Sequence, residues 1–325
     1  MNRSKKYLYF CSVCFCCLLA ALLADPLTKL LTSREFVSLV LLLETGQTLA
    51  EPAPTEQTAT PTEPTQTTTA PEEIPPLPQF SAQDAALVQV NSYCGYAPAV
   101  ETWLAQPLSW NLQQPEPTVL ILHSHATESY VNQGEYQETT PYRTLDTNYN
   151  MVSIGDVLGF WLESAGIGVV HDKSLHDSPS YSDAYENSRA SAQTYLQQHP
   201  SIRLILDLHR DSVEDADGNQ VRYTLQTPEG TAAKLMLVVG TDAGGLTHSK
   251  WPENMALAVK LQALLEKENP GICRPISFRT QRFNQDLSTG ALLLEMGSAG
   301  NTREEVLRST KLLADAIITL AKGTE

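Results

Sequence analysis

Histidine and acidic residues occur together in three short segments, each beside an apolar run. The segments are residues 123–128 (HSHATE), 207–211 (DLHRD) and 295–297 (EMG). Two imidazoles and a carboxylate can form a three-ligand zinc site that leaves a fourth position for water. A further carboxylate can take a proton from that water and pass it to a leaving amine. These residue types therefore predict metal-assisted hydrolysis of an amide bond.

The spacing within the segments suggests a role for each side chain. His125 and Glu128 form an H-x-x-E pair, which directs both side chains toward one centre if the chain turns after a strand. With His209 they are the predicted Zn²⁺ ligands, and Glu295 is the predicted catalytic base. His123 is an alternative first ligand, because strand alternation would point it the same way as His125. Its other predicted role is to support a ligand or to contact the oxyanion of the transition state.

Four neighbouring polar residues are predicted to bind substrate: Arg210, Asp211, Arg282 and Asn284. Arg210 could hold a peptide carboxylate, although an ion pair with Asp207 or Asp211 explains it equally well. Arg282 and Asn284 belong to a polar stretch that is expected to form a loop near the site. The alternative for that stretch is a solvated turn.

The pattern of apolar residues predicts the elements that carry these segments. Strands are predicted at 118–122, 202–208, 235–239 and 291–294, and helical patterns at 151–162, 185–198, 255–265 and 302–320. Alternating apolar strands and helices indicate an α/β fold, with a mostly parallel sheet flanked by helices on both faces. Parallel strands would bring the three polar segments to one edge of the sheet, where ligands bind in such folds.

The N-terminus predicts the compartment. Three basic residues within the first six precede an uncharged apolar run at 7–24, which is long enough to span a membrane. The positive flank should remain cytoplasmic and the rest of the chain should cross. Residues 1–25 are therefore predicted to be a cytoplasmic tip and an uncleaved transmembrane helix that anchors the chain in the cell membrane. Removal of this run as a signal peptide is the alternative.

Composition divides the remainder of the chain. Residues 26–80 comprise a membrane-proximal segment and then a linker rich in Thr, Pro and Glu, which cannot bury enough apolar surface to fold. Residues 81–325 form the predicted catalytic domain. The net charge of -15 excludes a nucleic-acid partner, since binding to phosphates needs clustered Lys and Arg.

Several of these strings resemble one family. HSHATESY at 123–130, DLHRDS at 207–212, VGTD at 239–242 and the 28-residue string at 282–309 look like the stage II sporulation protein P family, over roughly residues 118–320. The resemblance implies an N-acetylmuramoyl-L-alanine amidase-like fold for residues 81–325. It also implies a zinc hydrolase that cuts the amide bond between N-acetylmuramic acid and L-alanine in peptidoglycan, with endopeptidase activity on peptide cross-links.

The resemblance also implies a biological setting. The expected role is septal wall remodelling during engulfment in sporulation, with the catalytic domain in the septal intermembrane space. The expected partners are a lytic transglycosylase and a membrane scaffold protein. Two alternatives remain: a zinc carboxypeptidase or endopeptidase acting on wall peptides, and a non-catalytic scaffold that binds the wall. A serine hydrolase is disfavoured, because the sequence contains no G-x-S-x-G motif.

Overall fold

The computed structural model describes residues 78–108 and 110–322. The predicted anchor at 1–25 and nearly all of the predicted linker at 26–80 lie outside the described residues. Among the helices of the described part, none is long and apolar enough to span a membrane.

The described part contains six α-helices, nine β-strands and a short 3-10 turn at Gln285–Leu287. The helices are α1 (Ala82–Ala85), α2 (Val100–Ala105), α3 (Met151–Ser164), α4 (Ala184–Gln198), α5 (Trp251–Glu268) and α6 (Arg303–Lys322). The strands are β1 (Val90–Ser92), β2 (Val119–Leu122), β3 (Val169–His171), β4 (Leu204–Asp211), β5 (Thr224–Thr227), β6 (Gly230–Ala233), β7 (Leu235–Val239), β8 (Ile276–Phe278) and β9 (Gly290–Ser298).

Seven strands form one sheet in the order β1-β8-β7-β9-β4-β2-β3, and β5 and β6 form a separate hairpin. Every neighbouring pair in the large sheet is parallel except β7 and β9, which are antiparallel. The predicted mostly parallel α/β sheet is therefore confirmed, with one exception. The sheet consists of two parallel blocks that run in opposite directions and meet between β7 and β9.

The two faces of the sheet are covered unequally. Alternate residues such as Ile121, Leu206 and Leu294 pack into the main core, which also takes apolar residues from α3, α5 and α6. On the other face, residues such as Leu120 and Ile205 pack against α4. Toward β7 and β8 this second face opens onto a cleft. The prediction of helices on both faces thus holds in part. On the second face, α4 covers β2 and β4 but leaves β7 and β8 open to the cleft.

The strands that carry the polar segments are longer than the sequence predicts. The apolar pattern indicates strands at 202–208 and 291–294, whereas β4 continues to Asp211 and β9 to Ser298. His209 and Glu295 therefore lie within strands and are paired with each other across β4 and β9. Their side chains project from the open face of the sheet rather than beyond its edge.

Candidate metal-dependent active site

His125, Glu128 and His209 come together at the end of the cleft nearest β2. One ligand atom from each residue lies within 4.8 Å of the others. Glu128 Oε1 is 3.6 Å from His125 Nδ1, and Glu128 Oε2 is 3.6 Å from His209 Nδ1. Glu128 and His209 are buried, while the His125 side chain remains 12% exposed. The turn after β2 thus brings the H-x-x-E pair against the histidine of β4.

A buried carboxylate holds this turn against β4. Asp207 Oδ1 accepts a hydrogen bond from the Ser124 backbone N–H at 2.8 Å, and its Oδ2 accepts one from the Ser124 hydroxyl at 2.6 Å. Burial alone would raise the pKa of Asp207, but the neighbouring His209 and the Ser124 hydrogen bonds hold that pKa below its usual value. Asp207 is therefore ionised and fixes the position of the residues that follow β2.

Glu128 lies between two arginines as well as two histidines. Arg143 Nη2 is 3.2 Å from Glu128 Oε1, and Arg210 Nη1 is 3.7 Å from the same oxygen. Burial raises the pKa of Glu128, but hydrogen bonds from His125 and His209 and the charge of Arg210 outweigh burial and hold that pKa well below its usual range. Glu128 is therefore an anion at neutral pH, as a metal ligand must be.

His209 lies between two carboxylates. Its Nδ1 faces Glu128, and its Nε2 is 2.9 Å from Asp207 Oδ1, close enough for an ion pair but not aligned as a hydrogen bond. Burial lowers the pKa of His209, but the charge of Asp207 dominates and raises that pKa well above its usual value. The Tyr185 ring stacks on the imidazole, with centroids 6.3 Å apart. A carboxylate behind a ligating imidazole commonly fixes its orientation in zinc sites.

Glu295 lies beside this group on β9. Its Oε2 is buried and has no hydrogen-bond partner among the described residues. Burial raises the pKa of Glu295 to about 8, to which the nearby Glu128 and Asp211 contribute, while His209 opposes the rise. An unpartnered carboxyl group with a pKa near neutrality can take up and release a proton at physiological pH.

The donor set fits a zinc ion. Two imidazole nitrogens and one carboxylate oxygen are ligands that Zn²⁺ prefers, and their number leaves a coordination position open. The unpartnered oxygen of Glu295 is explained if that carboxyl faces a ligand of the cleft. A bound zinc would be held by His125, Glu128 and His209.

His123 does not belong to this group. Its Nδ1 is 3.2 Å from the Leu208 carbonyl oxygen, and its Nε2 is 2.8 Å from Nε2 of His171. Burial and the neighbouring His171 lower the pKa of His123 to about 3, so the ring is neutral. The alternation expected from strand geometry fails because β2 ends at Leu122 and the chain turns immediately afterwards. The structure therefore groups His125, and not His123, with the other predicted ligands.

Two of the predicted substrate-binding residues line the cleft, but both have partners. Arg210 is buried, and its guanidinium donates to the carbonyl oxygens of Ser129 and Tyr142. Asp211 forms an ion pair of 2.6 Å with Arg274. The expected pairing of Arg210 with Asp207 or Asp211 is wrong, because Arg210 reaches Glu128 and backbone oxygens instead.

Arg282 and Asn284 lie on a loop that forms the wall between the cleft and a neighbouring groove, and both line the groove. Arg282 Nε is 3.1 Å from Asp286. Asn284 has a left-handed backbone, with φ of 58°, and its side-chain amide donates to the Tyr185 carbonyl oxygen at 2.8 Å. The predicted loop beside the site is present, and Asn284 fixes it to the start of α4.

Several residues of the site escaped sequence reasoning. Arg143, Tyr181 and Tyr185 line the cleft. Arg143 contacts both Glu128 and the buried Asp177, and its Nη1 is 2.8 Å from Asp177 Oδ2. Its guanidinium carbon lies 4.8 Å from the centre of the Tyr181 ring. These residues come from loops and from the first turn of α4, where hydrophobic periodicity gives no signal. Only knowledge of the tertiary contacts places them near His125, Glu128 and His209.

The cleft occupies about 630 Å³ and extends from the group formed by His125, Glu128 and His209 across β9 and β7 to β8. Its floor is the open face of the sheet, formed by Met236, Val238, Ser277 and Leu293. The cleft therefore crosses three neighbouring strands of the sheet.

Comparisons with known proteins agree with the sequence motifs. The Stage II sporulation protein P (SpoIIP) family matches residues 38–318. Stage II sporulation protein P of Bacillus subtilis (strain 168) is 32% identical over 209 residues, which are 61% of this chain and 49% of that relative. The chain thus matches about half the length of this curated relative.

Two solved structures are similar at a lower level. One is the N-acetylmuramoyl-L-alanine amidase from Clostridium difficile 630, with a TM-score of 0.35 and 17% identity, covering 63% of this chain and 95% of that chain. The other is the apo N-acetylmuramyl-L-alanine amidase from Mycobacterium abscessus, with a TM-score of 0.37 and 11% identity, covering 62% and 95%. The family matches most of the length of this chain, which shows that this chain belongs to the Stage II sporulation protein P family.

Proposed function

We propose that this chain is a zinc-dependent peptidoglycan hydrolase that cleaves the amide bond between N-acetylmuramic acid and the L-alanine of the stem peptide. One observation carries the proposal: a buried His-Glu-His donor set lies beside the unpartnered carboxyl of Glu295, on the floor of an elongated cleft. Membership of the family supports the wall as the substrate. Endopeptidase activity on cross-links is part of the proposal, because the open cleft does not limit the substrate to one amide.

The chemistry divides among the residues of the cleft. A zinc ion held by His125, Glu128 and His209 would polarise the scissile carbonyl and make the attacking water more acidic. Glu295, whose pKa of about 8 lies near neutrality, accepts the proton of that water and donates it to the leaving amine. Asp207 keeps the His209 ring in place during both transfers.

Arg143 and Tyr185 shape the electrostatics around these ligands. Arg143 lies 3.2 Å from Glu128 and is fixed by Asp177, so it holds the Glu128 carboxylate in one orientation. Burial raises the pKa of the Tyr185 hydroxyl well above its usual value, so the group remains protonated and can donate a hydrogen bond toward the cleft.

We propose that the N-terminal run at 7–24 anchors the chain in the cell membrane and places the catalytic domain outside the cytoplasm. The linker at 26–80 would then hold the domain away from the lipid surface. In this setting the proposed role is septal wall remodelling during engulfment, with a lytic transglycosylase and a membrane scaffold protein as partners. Membrane fractionation of cells that produce the chain, with and without residues 1–25, tests the anchor.

The function is tested by digestion of purified peptidoglycan with the full chain, with zinc, with chelator, and with the Glu295→Gln variant. Zinc-dependent release of intact stem peptides, lost in Glu295→Gln, is the expected result. Release of free amino acids instead would indicate a carboxypeptidase. Binding to the wall without any product from the folded, zinc-loaded protein would indicate a non-catalytic scaffold.

A further inference from the structure

Three arginines line the cleft, and two of them are engaged by carboxylates. Arg143 and Arg210 both pair with Glu128. The third, Arg279, makes neither an ion pair nor a side-chain hydrogen bond with any residue in the described part of the chain. A cation without a protein acceptor in a substrate cleft has donors available for a ligand.

The structure holds Arg279 in place by other means. Its backbone N–H donates to the Val239 carbonyl oxygen at 2.8 Å, and its carbonyl oxygen accepts from the Thr241 hydroxyl at 2.8 Å. The guanidinium carbon lies 5.2 Å from the centre of the Tyr93 ring. This cation–π contact orients the guanidinium without using its N–H groups. Arg279 is therefore prepared to bind an anion.

Arg279 lies at the far end of the cleft from the metal ligands. It follows β8 and shares the open face of the sheet with Ser277 and Val238. Strand register pairs Glu295 with Met236, and Val238 with Ser277. Arg279 is thus two strands across and about four residues along from Glu295, which is roughly 16 Å between Cα atoms in a flat sheet.

This separation matches a peptide substrate. An extended peptide covers about 3.3–3.6 Å per residue, so roughly five residues reach from one Cα to the other, and fewer once the length of the arginine side chain is included. The planar guanidinium forms paired hydrogen bonds with carboxylates. The stem peptides of bacterial walls carry free carboxylates within that distance: on a γ-linked glutamate, on a diamino acid and at the peptide terminus.

We propose that Arg279 binds a free carboxylate of the stem peptide, two to four residues beyond the scissile amide. The proposal rests on the proposed function and adds a direction to it. The peptide extends from the metal ligands across β9 and β7 to β8, and the glycan lies toward α4. Arg279 thereby acts as a specificity-determining residue that places the amide beside Glu295.

The experiment uses the zinc-loaded full chain and four muropeptides. One has all its carboxylates free, two are amidated at the second or the third stem residue, and one lacks the terminal residue. For the unaltered protein, kcat/KM should fall about 10- to 100-fold for one modified form, mainly through KM, as expected for the loss of charge-assisted hydrogen bonds. The form that is affected identifies which carboxylate is bound.

Variants connect that loss to Arg279. With Arg279→Gln, kcat/KM should fall by the same factor for the muropeptide whose carboxylates are all free. It should not fall further for the modified muropeptide that the unaltered protein cleaves poorly. Arg279→Lys should retain part of the affinity. Arg203→Gln is the matched control, because this arginine lies just before β4 and bonds only backbone oxygens near its own position. It should behave like the unaltered protein.

The outcomes separate the two proposals. If the unaltered protein releases stem peptides but treats all four muropeptides alike, the Arg279 proposal is overturned and the hydrolase proposal stands. If it releases none, the hydrolase proposal fails. Binding of fluorescent muropeptides then decides whether Arg279 binds a stem-peptide carboxylate. Weaker binding of one modified form to the unaltered protein supports the Arg279 proposal, and equal binding of all forms overturns it. Because the unaltered protein gives the decisive comparison, a variant that fails to fold does not prevent a decision.

Discussion

At the scale of single residues, the protonation of Glu295 can be measured through stability. In the folded, metal-free protein its pKa is about 8, because of burial, against an ordinary value of 4.5. Between these two values the folded state retains a proton that the unfolded state has released. This difference makes the folded state less stable as pH rises through the window.

Glu295→Gln removes this loss. We expect the metal-free variant to match the metal-free parent at pH 4 and to be more stable by on the order of 3 kcal/mol at pH 8. Urea unfolding in chelator, at a series of pH values, measures the difference. Two stability curves that run parallel from pH 4 to pH 8 would contradict the assignment of the raised pKa to Glu295.

The two histidines after β2 make a second prediction. His125→Ala removes a member of the donor group, so its affinity for zinc should fall by more than about 100-fold, the upper end of what changes outside the ligand set produce. His123→Ala removes contacts to Leu208 and His171 and should retain one zinc per chain. Elemental analysis and zinc titration of both purified variants give the comparison, and equal losses would return His123 to the ligand set.

Residue types predicted that His125, Glu128 and His209 lie together, but they left open the choice between His123 and His125. The H-x-x-E pair is recognisable by its spacing after an apolar run, and Glu295 is recognisable because an ionisable residue within an apolar run requires a partner. The choice between His123 and His125 depends on how the chain turns after Leu122, which the apolar pattern does not define. Arg279 gave no signal, because a single arginine after a short strand resembles any exposed residue.

At the scale of elements, the loop beside the cleft depends on a close approach of two backbones. A Cβ atom at Gly240 would lie 2.2 Å from the Gln281 carbonyl oxygen and 2.8 Å from that of Arg282. Backbone atoms cannot yield as a flexible side chain can, so the loop must move. Gly240 follows β7 directly, and the loop follows β8.

Gly240→Ala should therefore cost about 3 kcal/mol, because overpacking against backbone is among the larger effects of a single methyl group. It should also raise KM for wall substrates, since the same loop carries Phe283 in the cleft. Gly134→Ala is the control for loss of a glycine, because nothing lies within 4 Å of its Cβ position. Gly134 has a φ of 92°, so this variant should show only the strain of placing alanine in a left-handed backbone conformation. Thermal unfolding of the two variants makes the comparison.

The elements themselves were largely predictable, because buried strands and amphipathic helices leave strong patterns. A T-x-x-E capping box stands at the start of α6: the Thr302 backbone N–H donates to Glu305 at 3.1 Å, and the Glu305 N–H donates to the Thr302 hydroxyl at 3.4 Å. The reversal between β7 and β9 was not predictable, because strand direction depends on pairing and not on composition. That reversal brings β8 alongside the cleft and with it Arg279.

At the scale of the whole molecule, the donor group joins parts of the chain that are distant in sequence. Glu128 and His209 are separated by 80 intervening residues and meet only when β2 and β4 pair. An unfolded chain does not hold these donors together, so a ligand of the group binds the folded state preferentially. Binding of that kind stabilises a protein in proportion to the logarithm of the ligand concentration.

Zinc should consequently stabilise the catalytic domain by about 2.7 kcal/mol at a free concentration 100 times its Kd. For a domain of this size, that is a rise in Tm of roughly 5–10 °C. Calorimetry in buffered zinc and in chelator measures the rise, and His125→Ala should abolish it without changing the Tm in chelator by a comparable amount. A Tm that zinc leaves unchanged in the parent would mean that the His-Glu-His group does not hold the metal in the folded protein, and the hydrolytic role of Glu295 would lose its basis.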